Sequence, residues 1–398
     1  MDKMHGATDH DPAARRPGLK VVARDALAGD TVPGELFDPG WEPPLPGRRP
    51  AADEWSRYLA MASQVVGRFH GQFRLGHFDY EHPARLQPAT PRRLKRAYTV
   101  NVAYTDWGPA DAPVVVCCGG VANVAMRFNY LASDLADRFR VVCMDWVGRG
   151  RSGWLAAEGD YSLATYVEQL RQMIVHLGRG PVTVLGSSMG GSAAIELVAR
   201  HPGLVERLVL NDIGPQMPAR RRRRRAETLA RHYVFRHPGD LLRKLGASQK
   251  NDGPASDEIR FNLSFHQTRW SEDEGGRVYR HDVRALQAYR RDAQQALKQW
   301  QAWRAVRCPL LLIHGLQSDA LLAPTIARMA RGKDITTMHV PDTGHTPLLA
   351  DRNQTWFVRD WLLGSANAVG AWTVLHAPAR EPYPGAPRHF APPSALRA

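Results

Sequence analysis

Six short runs constrain this chain more than anything else in it. "APVVVCCG", "FRVVCMD", "PVTVLG", "ERLVLND", "CPLLLIHG" and "DITTMHVP" are β-branched or leucine-rich and mostly bare of charge. Strands that apolar are buried on both faces, which calls for a parallel sheet covered by helices. Segments with apolar residues at helical spacing fall between them: "RFNYLASDLADRF", "SLATYVEQLRQMIVHLG", "GSAAIELVARHP" and "LLAPTIARMARG". The expected fold class is therefore α/β, with a mostly parallel central sheet flanked by helices. The alternation breaks once, where the mostly helical segment 215–304 precedes the next strand. An insertion of that kind reads as a cap over the strand ends.

Residues 1–90 have a different texture, rich in Pro, Gly, Arg and Asp. Only "ADEWSRYLAMASQVVGRF" (Ala52 to Phe69) shows helical spacing there, so this extension reads as a largely disordered arm, one amphipathic helix and a linker. "RAYTVNVAYTDWG" then alternates as a hairpin entering a sheet does. The α/β core is expected over 91–214 and 305–364, the helical cap over 215–304, and an unpacked Pro-rich tail over 365–398.

Composition narrows the class. Hydrophobic residues make up 43% of the 398, the texture of a soluble globular protein. No apolar run reaches the roughly 18 residues of a membrane span, and "MDKMHGATDHDPAARRPG" lacks the core of a signal peptide, so a cytoplasmic protein is expected. Cys117, Cys118, Cys143 and Cys308 lie in or beside strand-like runs without metal-ligand spacing, and read as buried small hydrophobes. The net charge of +14 is mostly arginine spread along the chain. Its one dense block, Arg220 to Arg225, reads first as the solvated first turn of a helix. A nucleic-acid or anionic-surface patch is the weaker reading, because no nucleic-acid-binding motif accompanies it.

Chemistry enters at "VTVLGSSMGGSAAIELV". Gly186, Ser188 and Gly190 fit G-x-S-x-G between a strand and a helix, a setting that pushes the central serine into a strained, exposed turn flanked by small residues. Ser188 occupies that apex and Ser187 does not. A serine hydroxyl needs a base, and this strand order calls for an acid and then a histidine downstream. Asp319, in the loop of "GLQSDALL", and His345, in "DTGHTPLL", follow consecutive strands and can converge on Ser188 at the carboxyl edge of the sheet. In that reading Asp319 orients the imidazole and His345 moves the proton. Asp212 also ends a strand after Ser188 and competes for the acid's role, with a turn cap as its alternative duty. Asp342 is too close in sequence to His345 to orient it well, and His314 can simply fill space at its strand end. An oxyanion would take one N–H from Met189 and another from Val121, which follows the Gly119-Gly120 pair.

With these residues in order, the chain resembles the α/β-hydrolase superfamily, specifically its compact serine hydrolases with a helical cap. The resemblance runs from about Ala97 to Leu363 and rests on "VVCMDWVGRGRSGW", "GSSMGG", "LVLNDIGP", "GLQSDALL" and "GHTPLL". It implies the α/β-hydrolase fold, a Ser188-Asp319-His345 triad, and Val121 and Met189 as oxyanion residues. One departure is visible: the family usually has His-Gly where this chain has Gly119-Gly120, which removes a side chain that braces the loop and opens space in the pocket.

The function expected is that of a serine esterase, cleaving an ester or similar acyl bond of a small molecule through an acyl-Ser188 intermediate without metal or organic cofactor. Gly120, Trp146, Trp154 and Phe265 are candidates for the substrate pocket, with Phe261 and Trp270 near them in the cap. A carbon–carbon bond hydrolase or an acyltransferase is the alternative, since the same triad supports both. A binding module without turnover would be expected to have lost a triad member.

Overall fold

All six charge-poor runs are strands of one eight-stranded sheet in the computed structural model, which describes residues 49–88, 96–249 and 251–364. The strands are β1 (Phe73–His82), β2 (Tyr98–Trp107), β3 (Val114–Cys118), β4 (Arg140–Met144), β5 (Val182–Ser187), β6 (Val205–Asn211), β7 (Leu310–Gly315) and β8 (Ile335–Val340). They lie side by side in the order β1-β2-β4-β3-β5-β6-β7-β8. From β4 through β8 every pairing is parallel, and β2 runs antiparallel to both β1 and β4.

The two-residue period of a strand divides the apolar side chains between two cores. Val114, Val116 and Cys118 of β3 enter one core, while Val115 and Cys117 enter the other; Leu310 and Leu312 of β7 are likewise separated from Leu311 and Ile313. Burial on both sides is why these runs show no polar alternation. Helix α2 (Asn129–Leu135) covers one face, where the buried side of α1 (Arg49–Val66) joins the same core, and α3 (Leu163–His176) and α4 (Met189–Arg200) cover the other. All four cysteines are free thiols; Cys117, Cys118 and Cys143 are fully packed and Cys308 is half-buried. No described helix is long and apolar enough to cross a membrane.

Between β6 and β7 stands the insertion, with α5 (Ala219–Leu229), α6 (Pro238–Gln249), α7 (Asp257–Gln267), α8 (Val283–Asp292) and α9 (Trp300–Ala305). It also holds five short strands that the mostly helical expectation did not include, three of which, Val234–Phe235, Gly276–Tyr279 and Thr268–Ser271, form a small sheet. Gln216–Met217 pairs with Leu297–Lys298 and closes the base of the insertion. Past it come α10 (Ala323–Met329) and α11 (Arg352–Leu362).

The N-terminal region is where structure and sequence reading part. The amphipathic helix is present, and its buried Trp55, Tyr58, Ala62 and Val66 follow helical spacing. It packs on the insertion: Tyr58 and Ser264 hydroxyls lie 2.7 Å apart, and Trp55 Nε1 donates to the Arg236 carbonyl at 3.0 Å. Its expected linker is instead β1, the edge strand of the main sheet, in register with β2 from Phe73 opposite Trp107 to His82 opposite Tyr98. An edge strand pairs on one side only and carries polar residues there, so Arg74, Asp79 and Glu81 hid it from a reading tuned to buried strands. The arm over 1–48 and the tail over 365–398 lie outside the described residues.

Candidate active site

β3 is the point where the sheet's order turns, with β4 on one side and β5 on the other. Crevices at the carboxyl ends of such strands are where open α/β sheets bind ligands. Ser188 sits at the end of β5 with φ 49° and ψ −113°, a backbone conformation that non-glycine residues hold only when their surroundings impose it. Two glycines make the turn possible. A Cβ on Gly186 would stand 2.5 Å from the Gly191 backbone, and one on Gly190 would stand 2.3 Å from the Cys118 carbonyl oxygen. Ser187 is fully buried and its Oγ accepts a hydrogen bond from Asn211 Nδ2 at 2.8 Å, so it supports the turn.

His345 comes to Ser188 as expected, with Nε2 2.9 Å from Ser188 Oγ. The acid beside it is not the expected one. His345 Nδ1 lies 2.8 Å from Asp212 Oδ2, while Asp319 points away to the insertion and pairs with Arg221 at 3.0 Å and with Arg224. The register explains the exchange: Ser187 pairs with Asn211 across β5 and β6, so Asp212 stands level with Ser188 on the neighbouring strand. Asp319 lies four residues beyond the end of β7, in a turn held by Ser318, whose Oγ donates to Asp212 Oδ2 and accepts from the Ala320 and Leu321 N–H groups.

Asp212 is fully buried and also accepts the Gly315 N–H, so its carboxylate is well hydrogen-bonded. A donated Nδ1–H leaves His345 Nε2 as the acceptor facing the serine hydroxyl. Burial pushes the His345 imidazole below the ordinary histidine range; the Asp212 hydrogen bond opposes this and the Arg221 guanidinium reinforces it. Asp319 is held below the usual carboxylate range: partial burial raises it, and the Arg221 hydrogen bond with the charges of Arg221 and Arg224 outweighs that. Asp342 is an exposed turn residue, and His314 Nδ1 pairs with His339 Nδ1 at 3.0 Å.

The loop after β3 approaches Ser188 from the other side; a Cβ on Gly120 would lie 3.5 Å from Ser188 Cβ. The Gly120 N–H donates to Asn123 Oδ1 at 2.9 Å, which curls the loop. Gly119 stands where a bracing histidine was expected to be missing, and the brace comes from elsewhere. Trp146 Nε1 donates to the Gly119 carbonyl at 2.8 Å, and Arg149 Nε donates to the Val121 carbonyl at 2.8 Å. Trp146 is thus fully buried support for the loop.

One cavity opens on Ser188, and a second lies beside the loop after β3. The narrow one, of about 70 Å³, contains Ser188 and Met189; its wall includes Tyr166, Ile213, Met217 and Leu297, with the charged Arg222 and Asp292 also on it. The wider one, of about 380 Å³, begins at Ala122 and Asn123 and runs under α5 and α6, past Arg127, Arg221, Arg224, Arg225 and Lys244. The expected pocket aromatics belong to neither. Phe265 is buried against α1, Trp270 packs edge-on to Trp55 and Phe261 lies against Tyr58; Trp154 lines neither cavity. The cavity walls come instead from the core around Tyr161 and Tyr166 and from the insertion along its length, including the arginine block, whose Arg221 is buried and not solvated. Spacing held the clue, since Arg221 and Arg225 are four residues apart on one helix face. Among the described residues no cluster of three His, Cys, Asp or Glu is arranged to hold a metal.

This fold and elbow place the chain in a known class. Residues 112–351 match the family model described as alpha/beta hydrolase fold, and the chain belongs to that family, which supports a hydrolase. Among individual relatives, a 3-hydroxybutyrate-oligomer hydrolase from Cupriavidus necator is 31% identical over 305 residues, covering 70% of this chain and 97% of its own length. A Rickettsia typhi structure shares the fold with a TM-score of 0.66 at 20% identity, over 74% of this chain and 100% of that one. An alpha/beta hydrolase from Novosphingobium aromaticivorans does so with a TM-score of 0.62 at 21% identity, over 74% of this chain and 99% of the other.

Proposed function

We propose that the protein is a serine hydrolase that cleaves ester bonds of short, linear 3-hydroxyalkanoate chains, with Ser188 as nucleophile, His345 as general base and acid, and Asp212 as the carboxylate that orients His345. The observation that carries the reading is the hydrogen-bonded line from Ser188 Oγ through His345 to Asp212, at 2.9 Å and 2.8 Å. The substrate class follows the near full-length likeness to an enzyme named for 3-hydroxybutyrate oligomers.

In the proposed reaction Ser188 Oγ attacks the ester carbonyl carbon while its proton moves to His345 Nε2. Negative charge collects on the carbonyl oxygen between the N–H groups of Val121 and Met189. At Met189 the start of α4 adds the positive end of its dipole. His345 then returns the proton to the departing alkoxide as the C–O bond breaks. Water repeats the sequence on the acyl-Ser188 ester, so one ester and one water give one acid and one alcohol. The buried Asp212 carboxylate stabilises the imidazolium at each half-step.

Two assays test this. A fluorophosphonate should label the protein and its Ser187→Ala variant but not Ser188→Ala; labelling that survives Ser188→Ala would end the nucleophile assignment. Linear 3-hydroxybutyrate dimer should be split to monomer, and an enzyme that turns over p-nitrophenyl butyrate but leaves the dimer intact would overturn the substrate class.

A further inference from the structure

We propose that the wide cavity beneath α5 and α6 is a carboxylate-recognition site, in which Arg225 and Lys244 hold the free acid end of the substrate. This rests on the ester-hydrolase reading above and adds to it which end of a chain is cut. The cavity is lined by five cationic side chains and by two carboxylates, those of Asp252 and Asp319. Asp252 is spoken for by Arg127 at 3.2 Å, and Asp319 by Arg221 and Arg224. That leaves two cations over. Arg225 has no hydrogen-bond or ion-pair partner among the described residues, and Lys244 has only the Tyr233 hydroxyl at 2.9 Å and the Tyr233 ring below it.

A half-buried guanidinium without a counter-ion is costly in an apoprotein and becomes favourable when an anion enters. Arg225 is pushed below the ordinary arginine range by burial, and Asp252 only partly relieves it from beyond ion-pair distance. His281, on the same wall, is driven down to about 3 by burial and by Arg149, so it stays neutral and leaves the cavity's charge to arginine and lysine. The cavity opens beside Ala122 and Asn123, directly after Val121, while the narrow pocket at Ser188 is mostly apolar.

This division matches one end of a hydroxyacyl chain. The single carboxylate of a linear oligomer lies on the alcohol side of its last ester bond. With that carboxylate on Arg225 and Lys244, the last ester faces Ser188 and the acyl part enters the narrow pocket. His345 then protonates the hydroxyl oxygen of the departing 3-hydroxy acid. The chain is shortened from its acid end, one unit at a time.

The test compares 3-hydroxybutyrate dimer as free acid and as methyl ester. The wild-type enzyme should prefer the free acid in kcat/KM, mainly through KM, and 0.5 M salt should shrink that preference. In Arg225→Gln/Lys244→Met the ratio should fall by about 10-fold or more. A wild-type ratio near one, or one indifferent to both salt and substitution, overturns the proposal; the salt arm decides even if the variant does not fold. If wild type cleaves neither compound, the substrate class proposed above fails, and the cavity is then read by calorimetry. Binding of 3-hydroxybutyrate, but not its methyl ester, that is lost in the double variant supports the carboxylate site. No binding, equal binding of both, or tighter binding of inorganic phosphate overturns it.

Discussion

Trp146 donates its indole N–H to the Gly119 carbonyl at 2.8 Å, and three residues on Arg149 holds the Val121 carbonyl at the same distance. Together they hold the carbonyls of Gly119 and Val121, one on each side of the Gly120–Val121 peptide, from a single loop after β4. The Gly120–Val121 peptide, which carries the Val121 N–H, lies between these two anchors, and its own carbonyl accepts from the Asn123 N–H at 3.1 Å.

Trp146→Phe keeps most of the ring volume and removes the donor, leaving a buried carbonyl unpaired at a cost of about 1–3 kcal/mol. A mis-set oxyanion donor affects the transition state more than substrate binding. We expect kcat on p-nitrophenyl butyrate to fall by about 10- to 100-fold with KM changed much less. Steady-state kinetics and a urea titration check the two parts, and an undiminished kcat would remove Trp146 from the account.

His345 must be neutral to accept the Ser188 proton. Because burial and Arg221 hold its pKa below the ordinary 6.5, activity should persist as pH falls through that value and then decline with a one-proton slope. Arg221→Gln takes away a positive charge near the ring and leaves Asp319 paired with Arg224 alone, and both changes favour the imidazolium. The acid limb of kcat/KM should therefore move to higher pH in that variant; a shift to lower pH would contradict the assigned electrostatics.

Gly190→Ala places a methyl 2.3 Å from the Cys118 carbonyl, a backbone atom that cannot swing aside. Either β3 or the start of α4 must shift, and overpacking of this kind costs about 1–3 kcal/mol. Thermal unfolding should show a lowered midpoint, and fluorophosphonate labelling should slow even in the fraction that stays folded. Normal labelling would mean that the elbow tolerates more than its geometry implies.

Much of this was legible in the residues. Two-sided burial left β3 to β8 as charge-poor runs, and the glycines around Ser188 follow from its backbone. The acid was not, because both Asp212 and Asp319 stand after strands that follow Ser188, and loop sequence does not say where a side chain turns. Register decides it: Asp212 is level with the serine, whereas Asp319 is drawn off by Arg221 and Arg224 on α5, a contact spanning about a hundred residues of chain. The pocket was misread for a related reason. Large aromatics such as Trp146 and Phe265 signal burial equally well in a core and in a cavity, and here they fill the core.

Asn substitution at Asp212 and at Asp319, with little change in volume, tests which of the two carboxylates orients His345. Asp212→Asn should lower kcat by roughly 10,000-fold, the scale expected when the carboxylate that fixes a catalytic imidazole is lost. Asp319→Asn should lower it only several-fold, by loosening Arg221 and Arg224. Measured side by side on p-nitrophenyl butyrate, a collapse of kcat in Asp319→Asn with Asp212→Asn near wild type would contradict the account.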